Sequence, residues 1–277
     1  MKVQIGLALA TGANALFFPF ARRAEEACAT GLHMIVVRGS NEEPGMGKIG
    51  VIAGNVSLAI PGSTSVGVEY PAAIDKYASS LAEGTTELVR LVGEYEKQCP
   101  GGKIALLGYS QGAHSVMDAV CGSSSAGFRT TSDLPDAYES SIVAIATYGD
   151  PSHTVNASWN QGTSMTSGIF PRLNLTACEP YTDRIRSWCD VGDVYCDKGN
   201  NTRVHGTYFA NYTDVTVDFI VGKYNESIAE TTPAPTPTPG AAGPGSAAGL
   251  RSAGAPDVVM MALVSLGLLV FGSVGLL

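Results

Sequence analysis

Short apolar runs alternate with amphipathic stretches through the middle of this chain. His33 to Val37 (HMIVV) reads as a first strand and runs into a loop of turn formers, Arg38 to Gly45. Lys48 to Ile60 is helical by pattern and is stopped by Pro61-Gly62. Ser65 to Tyr70 alternates and precedes Pro71, which predicts a second strand. Ser79 to Gln98 predicts a long amphipathic helix, apolar at Leu81, Leu88, Leu91, Val92 and Tyr95, and Cys99-Pro100-Gly101-Gly102 ends it. Ile104 to Leu107 is a buried strand, followed by a helix over Gln111 to Val120 that is apolar at Ala113, Val116, Met117 and Val120. Ser141 to Tyr148 and Arg184 to Trp188 predict two more strands, and His205 to Tyr224 a final helix. Strands alternating with helices predict an α/β fold, a parallel sheet covered on both faces. Such sheets bind ligands at the carboxyl ends of their strands. The Ser40 loop, Gly108 to Gly112, the Gly149 loop and the loop after Trp188 all fall at that edge.

The two ends have a different composition, so only residues 24–228 are expected to form the folded domain. Residues 1–21 read as a secretory leader, with Lys2 as the positive start, Ile5 to Phe20 mostly apolar and Ala21 as the small residue before cleavage. Arg22-Arg23 offers a second, dibasic processing point. Residues 229–257 are rich in Thr, Pro, Gly and Ala and read as an extended stalk. Val258 to Leu277 carries no charge and is followed by no Lys or Arg. With small residues around Ser246 and a spacer, it reads as a GPI-anchor signal with attachment at Ser246, and as a tail-anchoring helix in the alternative. Sequons at Asn55, Asn156, Asn174, Asn200, Asn211 and Asn225, together with six cysteines, point to an oxidising, secretory route. The expected place is therefore the cell surface or cell wall, with the membrane reached only through a lipid. A formal charge of −8 without a basic patch argues against nucleic acid. Neither a metal-binding cluster, a phosphate loop nor a dinucleotide fingerprint is visible, so no cofactor and no metal are expected, and the protein is expected to be a monomer.

The chemistry centres on Gly108-Tyr109-Ser110-Gln111-Gly112. G-x-S-x-G between a strand and a helix is the pattern of a nucleophile elbow, in which the glycines allow a sharp turn that pushes Ser110 outward. A serine hydroxyl needs a base. Of the four histidines, His33 lies in a strand, His114 points along the elbow helix, and His153 follows a strand end and stays open as an outside candidate. His205, in a loop ahead of the last helix, best fits the chain order serine, acid, histidine. Asp193 is the expected acid, placed between Cys189 and Cys196 in a small loop that would hold it against the imidazole. Asp190 and Asp197 are its rivals, with solvated loop charges as their alternative reading.

GYSQG, then C-x-x-x-D-x-x-C, then a histidine twelve residues after the aspartate, resembles the fungal cutinase and acetylxylan esterase family. Arg38-Gly39-Ser40, Cys99 ahead of the serine, Gly149-Asp150-Pro151 and Asn160-Gln161-Gly162-Thr163 fit the same resemblance, which covers Cys28 to about Tyr224. It implies a small α/β-hydrolase, a three-layer αβα sandwich with a five-stranded parallel sheet. Ser110 is then the nucleophile, His205 the general base and Asp193 its orienter. The backbone N–H groups of Gln111 and Ser40, with the Ser40 hydroxyl, form the oxyanion hole, each donor worth roughly 3–4 kcal/mol. Spacing alone leaves fifteen pairings of six cysteines. The resemblance implies Cys28–Cys99 and Cys189–Cys196, which leaves Cys121–Cys178.

The segment between Asp193 and His205, VYCDKGNNTRV, is mostly polar. It suits a short acyl group on a polysaccharide, acetylxylan or a similar ester, better than a long chain. Cutin or another polyester is the alternative substrate, and a non-catalytic surface protein on an esterase fold is the alternative of another class.

Overall fold

A computed structural model describes residues 27–125, 127–128 and 133–231. The expected leader at 1–21, Ser246, the tail at 258–277 and all of the 229–257 stalk beyond Thr231 lie outside these residues. The elements in order are β1 (Leu32–Val37), α1 (Gly50–Ala59), β2 (Thr64–Gly67), α2 (Tyr77–Gln98), β3 (Lys103–Tyr109), α3 (Gln111–Cys121), β4 (Ile142–Tyr148), β5 (Asn160–Gln161), β6 (Ile185–Trp188), α4 (Tyr208–Asn211) and α5 (Thr213–Thr231). Short 3-10 turns precede β4, β6 and α4.

The strands form one parallel sheet in the order β2-β1-β3-β4-β6-β5. It has six strands where five were expected. The extra one, β5, is only two residues long and forms the edge of the sheet beside β6. Two residues carry no alternating pattern, so nothing marked it in the sequence.

Alternate residues of the central strands feed two apolar layers, as the two-residue period of a strand requires. Ile35, Val37, Ile104 and Leu106 pack with Leu88 and Val92 of α2 and Val116 and Met117 of α3. Leu32, Met34, Val36, Ala105 and Leu107 pack with Ile52, Ala53 and Val56 of α1 and Ile220 of α5. Both layers are buried, which is why β1, β3 and β4 read as continuous apolar runs. The single final helix expected from His205 breaks instead into a 3-10 turn at Val204–Gly206, then α4, then α5. The break lets His205 sit at the sheet edge while α5 lies along the sheet. α5 continues through Ile228-Ala229-Glu230 to Thr231, two residues short of Pro233, because these residues tolerate a helix and proline does not. Among the described residues no helix is long and apolar enough to cross a membrane.

Three disulfides close the fold: Cys28–Cys99, Cys121–Cys178 and Cys189–Cys196. The first ties the chain ahead of β1 to the end of α2. The second ties the end of α3 to the turn before β6.

Candidate active site

Ser110 stands between β3 and α3 at φ 56° and ψ −120°, a conformation that a non-glycine residue adopts only under constraint. Its N–H donates to the Tyr148 carbonyl (2.9 Å), and its own carbonyl accepts the His114 N–H (3.1 Å). The two glycines around it have a steric cause. A Cβ on Gly108 would meet the Gly112 carbonyl and the Ala113 backbone, and one on Gly112 would run into the carbonyls of Val37 and Arg38. Their absence lets the start of α3 press against the end of β1, which brings Gln111 beside the Ser40 loop.

That loop is fixed from several sides. Arg38 is buried and spends its guanidinium on the carbonyls of Glu42 (3.0 Å), Val68 (3.0 Å) and Tyr70 (2.5 Å), while Tyr70 returns a hydroxyl bond to the Arg38 carbonyl (2.7 Å). Glu42 accepts the N–H groups of Gly39 (2.7 Å) and Lys48 (3.2 Å). The Ser40 hydroxyl donates to Gln111 Oε1 (3.2 Å), which also accepts from Ser80 (3.3 Å), and Gln111 Nε2 donates to the Tyr77 carbonyl (3.2 Å). Gln111 is fully buried. Its side chain therefore knits α3 to the Ser40 loop and to α2. The sequence drew attention only to its backbone.

Asp193 is fully buried between the two cysteines of the Cys189–Cys196 loop. Its Oδ1 accepts the N–H groups of Tyr195 (2.8 Å) and Cys196 (3.3 Å). Its Oδ2 accepts His205 Nδ1 (2.8 Å) and the Tyr208 hydroxyl (2.6 Å). Burial by itself pushes this carboxyl up. The bond and charge of His205, the Tyr208 hydroxyl and the Tyr195 N–H outweigh it and hold Asp193 below the usual carboxylate range. Tyr208 was not singled out from the sequence, although its place three residues after His205 was a readable signal.

The imidazole of His205 is held on several sides. It stacks on Tyr109 with ring centres 5.1 Å apart, Tyr195 lies against it at 4.5 Å, and the Tyr109 hydroxyl donates to the His205 carbonyl (2.9 Å). Gly149, one residue after the carbonyl that accepts Ser110 N–H, lies against the same ring. His205 Nε2 is buried with no protein hydrogen-bond partner among the described residues. Gly149 also has φ +61°, and a Cβ there would stand 2.7 Å from Cε1 and 2.8 Å from Nδ1. Gly149→Ala is therefore expected to displace the ring. A shift of about 1 Å should lower kcat for p-nitrophenyl acetate by about 100-fold, while KM changes little.

The other sequence candidates are placed elsewhere. His33 stacks on Tyr95 (3.9 Å) and bonds Thr64. His114 is fully buried against Tyr77, whose hydroxyl lies 3.1 Å from its Nδ1. His153 is buried without a carboxylate partner, and burial pushes its pKa down to about 4, against the opposing pull of Asp197 and Asp193. Asp190 and Asp197 are not solvated charges, each being only 8% exposed. Asp190 accepts from Thr163 and Tyr212, and Asp197 from Ser164, Thr166 and the Gly192 N–H. They bind the 163–166 loop to the Asp193 loop, leaving Asp193 alone on the imidazole. No cluster of three or more metal-ligating side chains occurs among the described residues.

The protein-family model named Cutinase matches residues 28–224. Acetylxylan esterase 2 of Talaromyces purpureogenus is 30% identical over 222 residues, 76% of this chain and 94% of that protein. Cutinase 11 of Verticillium dahliae is 30% identical over 204 residues, 70% of this chain and 69% of that protein. The solved catalytic core of the acetyl xylan esterase from Trichoderma reesei is 30% identical, with a TM-score of 0.66 over 70% of this chain and 99% of that one. The matched span takes in the whole sheet, the elbow at Ser110, the Asp193–His205 pair and all three disulfides, and with it this chain belongs to the cutinase family.

Proposed function

We propose that the protein hydrolyses carboxylic esters through an acyl-Ser110 intermediate, and that its substrate is a short-acyl polysaccharide ester of the acetylxylan type. Ser110 Oγ attacks the ester carbonyl while His205 Nε2 takes its proton. Asp193 holds His205 in the tautomer that leaves Nε2 free to do so. The oxyanion is stabilised by the N–H groups of Gln111 and Ser40 and by the Ser40 hydroxyl, which turns its one proton from Gln111 Oε1 to the developing charge. Collapse of the intermediate expels the alcohol, which takes its proton from His205. Water, deprotonated by the same imidazole, then releases the acid and restores Ser110. The observation that carries this reading is the ordered pair, Asp193 Oδ2 at 2.8 Å from Nδ1, with Nε2 lacking a protein partner among the described residues and the ring stacked on Tyr109 of the elbow.

The rim supports a carbohydrate. Lys198, Asn200, Asn201, Thr202 and Arg203 are exposed on the segment joining Asp193 to His205. A cutin-like or polyester substrate is the second reading, favoured by Val191 and Met165, which are 63% and 80% exposed on the two loops bound together by Asp190 and Asp197. Hydrolysis of p-nitrophenyl esters from acetate to palmitate, with acetate release from acetylated xylan beside it, separates the two. Activity confined to the shortest acyl chains, with acetate released from xylan, is expected. Undiminished palmitate cleavage would select the polyester reading. The same proposal takes the protein through the secretory pathway. Three disulfides support this, as do the exposed sequon asparagines Asn156, Asn174, Asn200, Asn211 and Asn225, whereas Asn55 is half-buried on α1. The lipid anchor at Ser246 belongs to this proposal on the composition of residues 229–277 alone.

A further inference from the structure

Asp193 Oδ2 accepts two hydrogen bonds, one from His205 and one from Tyr208, and the second is as fixed as the first. The Tyr208 hydroxyl carries a single proton. The Asp190 N–H donates to its oxygen (3.1 Å), and Cys196 Sγ, 3.2 Å away, is bonded in a disulfide and has no proton to give. The tyrosine proton therefore goes to the carboxylate, its strongest acceptor and its nearest partner. The ring is fully buried in a stack with Tyr148 (5.7 Å) and Tyr212 (6.3 Å), so the hydroxyl cannot turn to water. Burial and the Asp193 charge both raise the Tyr208 pKa, which keeps that proton in place. We propose that Tyr208 is a positioning residue that acts through Asp193, sharing its charge with His205 and so setting how firmly the Asp193–His205 pair holds its proton. This rests on the reading of Ser110, His205 and Asp193 given above. The other groups facing Asp193 are Asp190, Asp197 and Tyr195 of its own loop, His153 from the chain between β4 and β5, and Tyr109 at the end of β3. None of them is a side-chain donor to Oδ2.

With the hydroxyl gone, the carboxylate gives its full charge to His205, and the pair keeps its proton to higher pH. Tyr208→Phe keeps the ring and the stack. Its acid limb of kcat/KM for p-nitrophenyl acetate is expected to move up by roughly 0.5–1 pH unit. Losing one of the two bonds that fix Oδ2 also lets the carboxyl shift against Nδ1, so kcat at the optimum is expected to fall about tenfold, with KM nearly unchanged. A structural role alone would lower the melting temperature and leave the limb in place. Proton NMR of the wild-type protein gives a readout that needs neither the variant nor activity. Two exchange-protected low-field protons are expected, one coupled to His205 Nδ1 and one with contacts to the Tyr208 ring, close to each other because they share one oxygen. An active wild type with an unmoved acid limb in a folded Tyr208→Phe, or no low-field tyrosine proton, overturns the role of Tyr208. A folded wild type with no Ser110-dependent hydrolysis, by contrast, overturns the catalytic reading beneath it, and the NMR result then still decides the hydrogen bond.

Discussion

Ser110→Ala is expected to abolish ester hydrolysis while leaving the fold intact, with kcat for p-nitrophenyl acetate falling about a million-fold. The size follows from the division of labour in the site. Without Oγ no acyl-enzyme can form, and only the binding groups and oxyanion donors remain to assist water, an effect of about 10³–10⁴-fold over the uncatalysed rate. The backbone loses nothing. Alanine keeps the N–H bond to Tyr148 and the start of α3, so the melting temperature should stay near that of the wild type. A folded Ser110→Ala protein that retains substantial esterase activity would remove Ser110 from the mechanism. No activity in either protein would leave the surface-binding alternative.

Asp193→Asn is expected to cost about 10⁴-fold in kcat, and the surroundings of the carboxyl give the reason. The N–H groups of Tyr195 and Cys196 both donate to Oδ1. An asparagine must turn its carbonyl oxygen toward them, which directs its NH₂ at His205 Nδ1 and the Tyr208 hydroxyl. Nδ1 then has to accept, the ring proton moves to Nε2, and the atom meant to take the Ser110 proton is already protonated. The same change should alter the response to acid. Asp193 in the folded protein lies below its unfolded pKa, so its ionised form stabilises the fold above the ordinary carboxylate range, and that contribution is lost as pH falls through the folded value. The variant lacks this term. Its melting temperature should vary less with pH below about 4 than that of the wild type. Steady-state kinetics and thermal melts from pH 3 to 8 check both effects.

The parts of the site legible in the sequence were those whose chemistry is carried by single side chains at fixed spacing. Gly108 to Gly112 between an apolar run and a helix marked the elbow, and the two cysteines around Asp193 marked the loop that holds it. The long elements were readable for a related reason. β1, β3 and β4 are buried on both faces and so read as unbroken apolar runs, and α2 shows its apolar face over six turns. Features that depend on neighbours distant in the chain were not readable. Asn160–Gln161 becomes a strand only because β6 lies beside it. Arg38 looks like a loop charge until the carbonyls of Val68 and Tyr70 surround it. Asp190 and Asp197 could be read only as rival acids or solvated charges, because the 163–166 loop that covers them is remote in sequence. Tyr208 offered a local signal, three residues from His205, but a buried tyrosine is usually core, and only its bond to Asp193 gives it a different reading.

The most direct test of the central claim is covalent trapping. A fluorophosphonate ester that mimics the tetrahedral intermediate should modify the protein once, on Ser110, as read by mass spectrometry of the tryptic peptide Ile104 to Arg129 after reduction of the Cys121–Cys178 disulfide. The extent of labelling should parallel the loss of esterase activity, and Asp193→Asn should slow it sharply. Labelling at another residue, or full activity with Ser110 blocked, would contradict the account.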